Sequence, residues 1–535
     1  MEQAEKDLLL YNVLLADGTT RKAFPGEVLL SGEKILFAGE KGKHVFPCCR
    51  KIDGKGLVLA PGFIDAHTHS DISLFASPEA YSSVFQGVTT LVAGNCGLSP
   101  FPVATEEVRE HLNTLYAKYE EKILWKDFAQ YAALLQKRGP AVNVLSLCGH
   151  NTLKACVCGY DGKKRTGKEA LSRMGMLLEE TLAQGAGGFS TGLLYMPGKT
   201  SAKEELLFLM GVLKRSGRIY ATHLRSEGKF LVEALQEAIF LASHGSGKLH
   251  ISHLKTAGKE NWKKLSCVFA EMEEARAKGL SVSADRYPYT TSASSLSLVL
   301  PGEYDTLTDS AIREKLSRDK EERNRLARLL DDSSRDWEKV LLADTALAEM
   351  KPFRGQSIAY IAQKKASTPG KTVLEILAED APNAMGAFRG MSGENLQKIL
   401  QKDFVCCGSD ETTRPPDDSL GRSHPRGFGS FPVFFRMLRG AGFSLEEAVA
   451  KLSALPARIF SLEKRGLVRS GYFADLVLFD PEKYDSKADF SNPHALAEGV
   501  KKVFVNGVLL DLEEGTLFRS APRGGKVLKM PFPGK

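Results

Sequence analysis

Residues 59–71 read L-A-P-G-F-I-D-A-H-T-H-S-D, an apolar run that closes on His67 and His69. Side chains alternate between the two faces of a strand, so residues two apart point the same way and both imidazoles are offered to one side. An H-x-H pair also arises by chance, and this one gains meaning from four other runs. Within residues 87–99, G-V-T-T-L-V-A-G-N-C-G-L-S, the strand-like run closes on Cys96; R-I-Y-A-T-H-L-R ends near His223; L-H-I-S-H-L-K ends near His253; and D-F-V-C-C-G-S-D ends at Asp410. Each is a short stretch of apolar, β-branched or small residues ending on a group able to bind a metal. In a barrel of parallel strands the carboxyl ends converge on one mouth, so six residues distant in the chain are expected to meet there.

Each residue has a plainer alternative. A free cysteine is most often a small buried hydrophobe, but Gly94 and Gly97 flank Cys96 and permit a sharp turn that aims its sulfur. One thiolate with imidazoles suits zinc, which takes nitrogen and sulfur donors and keeps a position for water when catalytic. Asp410 has an alternative as a turn or helix cap; its place at the end of the last strand favours chemistry.

Strand-like runs near Gly62, Thr89, Val142, Gly187, Arg218, Leu249, Leu280 and Phe404 alternate with helical periodicity such as L-V-E-A-L-Q-E-A-I-F-L-A. That alternation signals parallel strands with crossover helices, and eight of them over residues 61–460 close a (β/α)8 TIM-like barrel. Residues 1–60 carry short alternating strands with turns at A-D-G-T, S-G-E-K and I-D-G-K-G, and residues 461–535 carry more, the last with an N-G turn. Neither set is large enough alone, so both ends are expected to join in one small β-sandwich domain. Between Tyr287 and Phe404 the gap is too long for one helix and holds A-I-R-E-K-L-S-R-D-K-E-E-R-N-R-L-A-R-L-L-D-D. This segment, about 290–355 in extent, is either a solvated helical decoration or a lid over the mouth.

The net charge of +7, from 72 basic and 65 acidic residues, is spread without an aromatic-interleaved basic cluster, which argues against a nucleic-acid partner. No run approaches a membrane span, and M-E-Q-A-E-K-D-L-L-L-Y-N lacks the pattern of a secretory signal. Nine cysteines, including Cys156 with Cys158 and the neighbours Cys48–Cys49 and Cys406–Cys407, lack C-x-x-C pairing. They read as reduced thiols in a cytoplasmic protein. A small-molecule substrate is the expected partner; the oligomeric state is not legible.

Taken together, P-G-F-I-D-A-H-T-H-S-D, G-N-C-G-L-S-P, G-H-N-T-L-K around His150, F-S-T-G-L-L-Y-M-P-G around Tyr195, A-T-H-L-R-S-E-G, I-S-H-L-K, Y-P-Y-T-T-S, G-S-D and H-P-R-G-F-G-S-F resemble the N-acyl-D-amino-acid deacylases, or D-aminoacylases, of the amidohydrolase superfamily. The likeness runs nearly end to end. It implies a barrel with a small β domain from both chain ends, and zinc-dependent hydrolysis of N-acyl-D-amino acids to a carboxylic acid and a free D-amino acid. It further implies that Cys96, His223 and His253 hold one tight Zn2+, that His67, His69 and Asp410 form a second, weaker site, and that Asp410 is the catalytic base. Lys255 matches the family's carboxylate-binding lysine, assisted by Tyr287 or, in the other register, Tyr289. Tyr195 is a further substrate-binding candidate. So is Arg225, whose alternative is an ion pair with Glu227 or another acid.

The fourth run, A-G-G-F-S-T-G-L-L-Y, offers no lysine to bridge two metals, and the resemblance implies that Cys96 takes that bridging or anchoring role. Two departures, Glu411 in place of a usual glycine and G-S-F in place of G-T-F after H-P-R, bear on which side chain or acyl group is accepted. Two competing readings make different demands. A cyclic-amide hydrolase of the hydantoinase or dihydroorotase kind calls for a fourth-strand lysine, and a catalytically silent scaffold calls for lost ligands.

Overall fold

All eight strand-forming runs become strands: Phe63–Asp65, Val88–Ala93, Asn143–Ser146 continued by Cys148–Gly149, Gly188–Gly192, Ile219–His223, Lys248–Ile251, Ser281–Arg286 and Val405–Cys407. They are seen in a computed structural model that describes residues 7–46, 49–160, 166–305, 307–422, 424–513 and 522–532. The second, third, fourth and fifth strands are buried along their whole length, which is why their sequences run on as apolar or small residues rather than alternating.

Neighbours pair in parallel in chain order. The third strand breaks at Leu147, whose N–H still donates to Ala93 O at 2.9 Å. Closure comes between the eighth strand and the first, where Ala66 N donates to Cys407 O at 3.2 Å and Asp410 N to His67 O at 2.8 Å, with a parallel bridge from Thr68 to Glu411. The crossover helices cover the cylinder. Leu231–His244 buries Leu231, Ala234, Leu235, Ala238, Leu241 and Ala242, the three- and four-residue spacing of an inward helical face.

Both chain ends enter one hydrogen-bonded sheet of eight strands. Val58–Pro61 from the amino-terminal part runs antiparallel to Leu476–Phe479 from the carboxyl-terminal part, over a core that includes Leu10, Val28, Ile35, Leu59, Leu476 and Phe504. At the expected N-G turn, Asn506 and Gly507 both have positive φ, 47° and 80°, as a two-residue hairpin of matching twist requires. The last described residues behave differently from the expectation that 461–535 belongs wholly to this sheet. Val144 N donates to Lys526 O, Leu528 N to Val144 O and Met530 N to Gly185 O at 2.8–2.9 Å, so this tail crosses to the amino-terminal face of the barrel and satisfies backbone groups there.

The insertion after the seventh strand extends beyond position 355. Strands Thr291–Ser295, Val340–Asp344 and Met385–Arg389 form their own antiparallel sheet, packed with helices on a separate core of Leu296, Ile312, Leu316, Leu326, Leu330, Leu374 and Leu377. The charged run is two helices, Asp309–Arg318 and Lys320–Asp331, divided at Asp319, whose carboxylate caps the second by accepting from Glu322 N. The insertion leaves the seventh strand at its carboxyl end and returns ahead of the eighth, beside the mouth.

No helix among the described residues is long and apolar enough to cross a membrane. The eight described cysteines are free thiols; Cys48 lies outside the described residues.

Candidate metal centre

Three of the turns at the carboxyl rim place a non-glycine residue in the left-handed region: Cys96 at φ 53°, His253 at 38° and Asp410 at 52°. That conformation costs about 1–2 kcal/mol per residue, and such strain collects at functional sites. Gly94, at φ 72°, makes the turn before Cys96 feasible, because a Cβ there would overlap the carbonyl oxygen of Leu147.

The turns bring the six residues together. Cys96 Sγ lies 3.3 Å from His67 Nε2, 3.4 Å from His253 Nε2 and 3.8 Å from His223 Nδ1. Asp410 Oδ1 lies 3.4 Å from His67 Nε2 and 3.2 Å from His69 Nε2. Ligand atoms of His67, Cys96, His253 and Asp410 fall within 4.8 Å of one another. A tetrahedral zinc site with bonds of about 2.0 Å to nitrogen and about 2.3 Å to sulfur has ligand–ligand edges of about 3.3–3.5 Å, so both spacing and donor chemistry fit. Geometrically, Cys96 reaches both sets of histidines, and His67 is nearer to it than His223.

Electrostatics prepare the donors. Burial by itself would raise the Cys96 thiol, but the charges on His67 and His253 and hydrogen bonds from His223 and His253 hold it well below its ordinary value, as a thiolate ligand requires. Burial likewise opposes ionisation of Asp410, and the Arg426 charge, with His253, His69 and His67, holds it well below the usual carboxylate range.

Three participants were not singled out from the sequence. Asp285, wholly buried, accepts from His67 Nδ1 at 3.1 Å and His250 Nε2 at 3.0 Å through Oδ2, and from the His253 N–H at 3.0 Å through Oδ1. It stands next to last in the seventh strand, S-V-S-A-D-R, close to the carboxyl-terminal position that marks the other rim residues. Glu227 meets His253 Nδ1 at 2.9 Å and pairs with Lys255. Arg426, at the start of the helix Arg426–Gly440, places Nη1 2.9 Å from Asp410 Oδ2.

Among the expected substrate residues, Tyr287 is wholly buried between two cations, its ring 3.9 Å from the Arg286 guanidinium and 4.6 Å from that of Arg426. Its hydroxyl has no hydrogen-bond partner among the described residues. Burial raises its pKa, but Lys255, Arg286 and Arg426 together bring it below the ordinary value. Tyr289 takes another direction: its hydroxyl crowds Gly429 and its ring meets His424. Lys255 is buried beside His253, with Nζ 2.8 Å from His253 Nδ1. The Tyr195 ring lies edge-on to His223 at 4.8 Å. Arg225 is engaged elsewhere, its Nε and Nη2 at 2.9 and 3.0 Å from the two oxygens of Glu237, not Glu227, and its Nη1 on Lys199 O.

The amidohydrolase family model matches residues 50–369 and 427–511. The D-aminoacylase of Alcaligenes xylosoxydans xylosoxydans is 33% identical over 94% of this chain and 93% of that protein. The N-acyl-D-glutamate deacylase of the same organism is 30% identical over 98% and 97%. Among solved structures, the N-acyl-D-glutamate deacylase of Bordetella bronchiseptica, complexed with zinc and a phosphonate mimic of the tetrahedral intermediate, superposes with a TM-score of 0.81 at 27% identity, covering 98% of this chain and 100% of that one. An L-hydantoinase from Arthrobacter aurescens shares only the fold, with a TM-score of 0.54 at 14% identity.

Proposed function

We propose that this chain, which belongs to the amidohydrolase family and within it to the D-aminoacylase group, hydrolyses the amide bond of N-acyl-D-amino acids with zinc held by Cys96, His223 and His253 and a second, weaker site at His67, His69 and Asp410. The observation that carries the reading is the meeting of one thiol, four imidazoles and one carboxylate at the rim, with Cys96 Sγ within 3.8 Å of three of the imidazoles. When bound, zinc supplies Lewis acidity for the carbonyl and lowers the pKa of an attacking water towards about 7.

The chain's own groups do the rest. Asp410, ionised at neutral pH, takes the proton of the attacking water at a carboxylate oxygen and returns it to the leaving amine nitrogen. Its ion pair with Arg426 weakens it as a base. A substrate α-carboxylate that draws on Arg426 relieves that pairing, so binding and proton transfer are coupled. The buried hydroxyl of Tyr287 and the ammonium of Lys255 complete the carboxylate receptor. Arg225, committed to Glu237, is left out of it.

The cyclic-amide reading lacks its fourth-strand lysine, since that strand reads G-F-S-T-G. The silent-scaffold reading conflicts with the presence of all six ligand candidates. A reducing compartment such as the cytoplasm is consistent with the buried free thiols Cys148, Cys406 and Cys407, and we read the insertion between the seventh and eighth strands as a lid.

The test is purified, zinc-loaded protein assayed on N-acetyl-D-methionine, its L isomer and a dihydropyrimidine, together with Asp410→Asn. Turnover of the D isomer alone, lost in the variant, is the expected result. Turnover of only the cyclic compound, or full activity in Asp410→Asn, overturns the assignment.

A further inference from the structure

We propose that Glu227 is a positioning residue whose single carboxylate fixes both the proton on His253 and the ammonium of Lys255; this rests on the metal-site reading above. His253 turns Nε2 to Cys96 Sγ at 3.4 Å. Its other nitrogen, Nδ1, lies 2.9 Å from Glu227 Oε1 and 2.8 Å from Lys255 Nζ. An imidazole that gives the Nε2 lone pair to a cation carries its proton on Nδ1, and the partner of that second nitrogen sets the tautomer. The Nδ1 proton needs an acceptor, and an ammonium is a donor only. Glu227 Oε1 is the acceptor in place, and the same oxygen receives Lys255.

Without that carboxylate, two donors face each other at 2.8 Å in a site where His253 and Lys255 are both buried. Either the imidazole proton moves to Nε2, which ends its use as a ligand, or the lysine leaves the mouth. The second oxygen extends the role. Glu227 Oε2 lies 3.8 Å from His223 Nε2, a buried nitrogen with no hydrogen-bond partner among the described residues, so the carboxylate faces the outer nitrogens of two of the three tight-site ligands. Backbone geometry supports the placement: Ala257 N donates to Glu227 O at 2.8 Å, tying the loop after the fifth strand to the loop after the sixth. One carboxylate therefore links the metal side of the site to the substrate side.

The experiment measures zinc affinity directly, by competition against a chromogenic chelator, with kcat and KM on N-acetyl-D-methionine read in parallel. Glu227→Ala removes both acceptor and charge, and its zinc Kd is expected to rise about 100-fold, the upper end for groups that orient metal ligands. Glu227→Gln keeps an acceptor oxygen but leaves the ammonium unbalanced; about 10-fold is expected, with a raised KM. In a Lys255→Met background the same Gln substitution should cost little zinc affinity, because a neutral amide suffices once the ammonium is gone. A purely structural role does not produce that rescue.

Unchanged zinc affinity in Glu227→Ala, or an undiminished loss for Glu227→Gln in the Lys255→Met background, overturns the proposal. Should Glu227→Ala fail to fold, the Gln pair decides alone. A wild-type protein that binds no zinc overturns the centre itself, a different failure from a wild type that binds zinc and a Glu227 variant that binds it equally well.

Discussion

Asp285→Asn changes one oxygen to an amide nitrogen at the best-connected buried carboxylate of the site. The native side chain accepts three hydrogen bonds, at 3.1 Å from His67 Nδ1, 3.0 Å from His250 Nε2 and 3.0 Å from the His253 N–H. A carboxamide has one acceptor oxygen, so in either orientation its NH2 faces at least one of these donors inside a buried site. With the amide nitrogen towards the histidines, His67 Nδ1 must become the acceptor. Its proton then sits on Nε2, the nitrogen 3.3 Å from Cys96 Sγ, and the ring no longer serves as a ligand. With the amide nitrogen towards the His253 N–H, that left-handed turn loses its tether. Losing a charge-assisted bond and leaving a buried donor unpaired costs about 2–4 kcal/mol, and losing the orientation of one ligand weakens metal binding about 10–100-fold. Zinc competition against a chelator reads the second effect, and thermal melting of metal-stripped protein reads the first. Wild-type zinc affinity with an unchanged melting curve would refute the argument that Asp285 sets the His67 tautomer.

Other outcomes follow from single contacts. Gly94→Ala is expected to lower the melting temperature and the zinc content together, since it adds about 1–2 kcal/mol of left-handed strain and a clash with Leu147 O; normal zinc content would show that the turn does not aim Cys96. Arg225→Ala should leave KM for an N-acyl-D-amino acid unchanged while reducing thermal stability, because the guanidinium is held by Glu237; a raised KM would return Arg225 to the substrate site. Lys451 is buried, and burial lowers its pKa from 10.5 to about 8. The folded state thus binds fewer protons than the unfolded chain between pH 8 and 10.5, and this group's contribution to stability rises with pH across that window. Below pH 8 its charged form is a liability of about 3 kcal/mol. Lys451→Met is therefore expected to be more stable than wild type at pH 7, with the advantage shrinking towards pH 10.5; an advantage independent of pH would exclude the linkage.

The runs ending at His67, Cys96, His223, His253 and Asp410 were readable one by one because strand formation and side-chain alternation are local properties. Asp285 stands next to last in a run of the same kind and was open to the same logic, but S-V-S-A-D-R offers an aspartate whose importance lies in three partners on other elements. Glu227 and Arg426 lie in loops and at a helix start, where no periodicity marks them. The length of the insertion was hidden for a similar reason: Met385–Arg389 pairs with Thr291–Ser295 across nearly the whole segment. The tail on the barrel floor, with Val527 bridged to Val144, likewise depends on a partner far away in the chain.

Chain order alone therefore specified which segments extend, which coil, that eight strands alternate with helices, and which groups able to bind a metal stand at strand ends, all consequences of periodicity and residue type. Closure of the cylinder settled the remainder: which imidazole nitrogen faces which carboxylate, that Arg225 is occupied by Glu237, and that Tyr287 rather than Tyr289 lies between Arg286 and Arg426. Hydrogen bonds and charge interactions depend on separations and angles between groups hundreds of residues apart, and those are set only when the eighth strand meets the first.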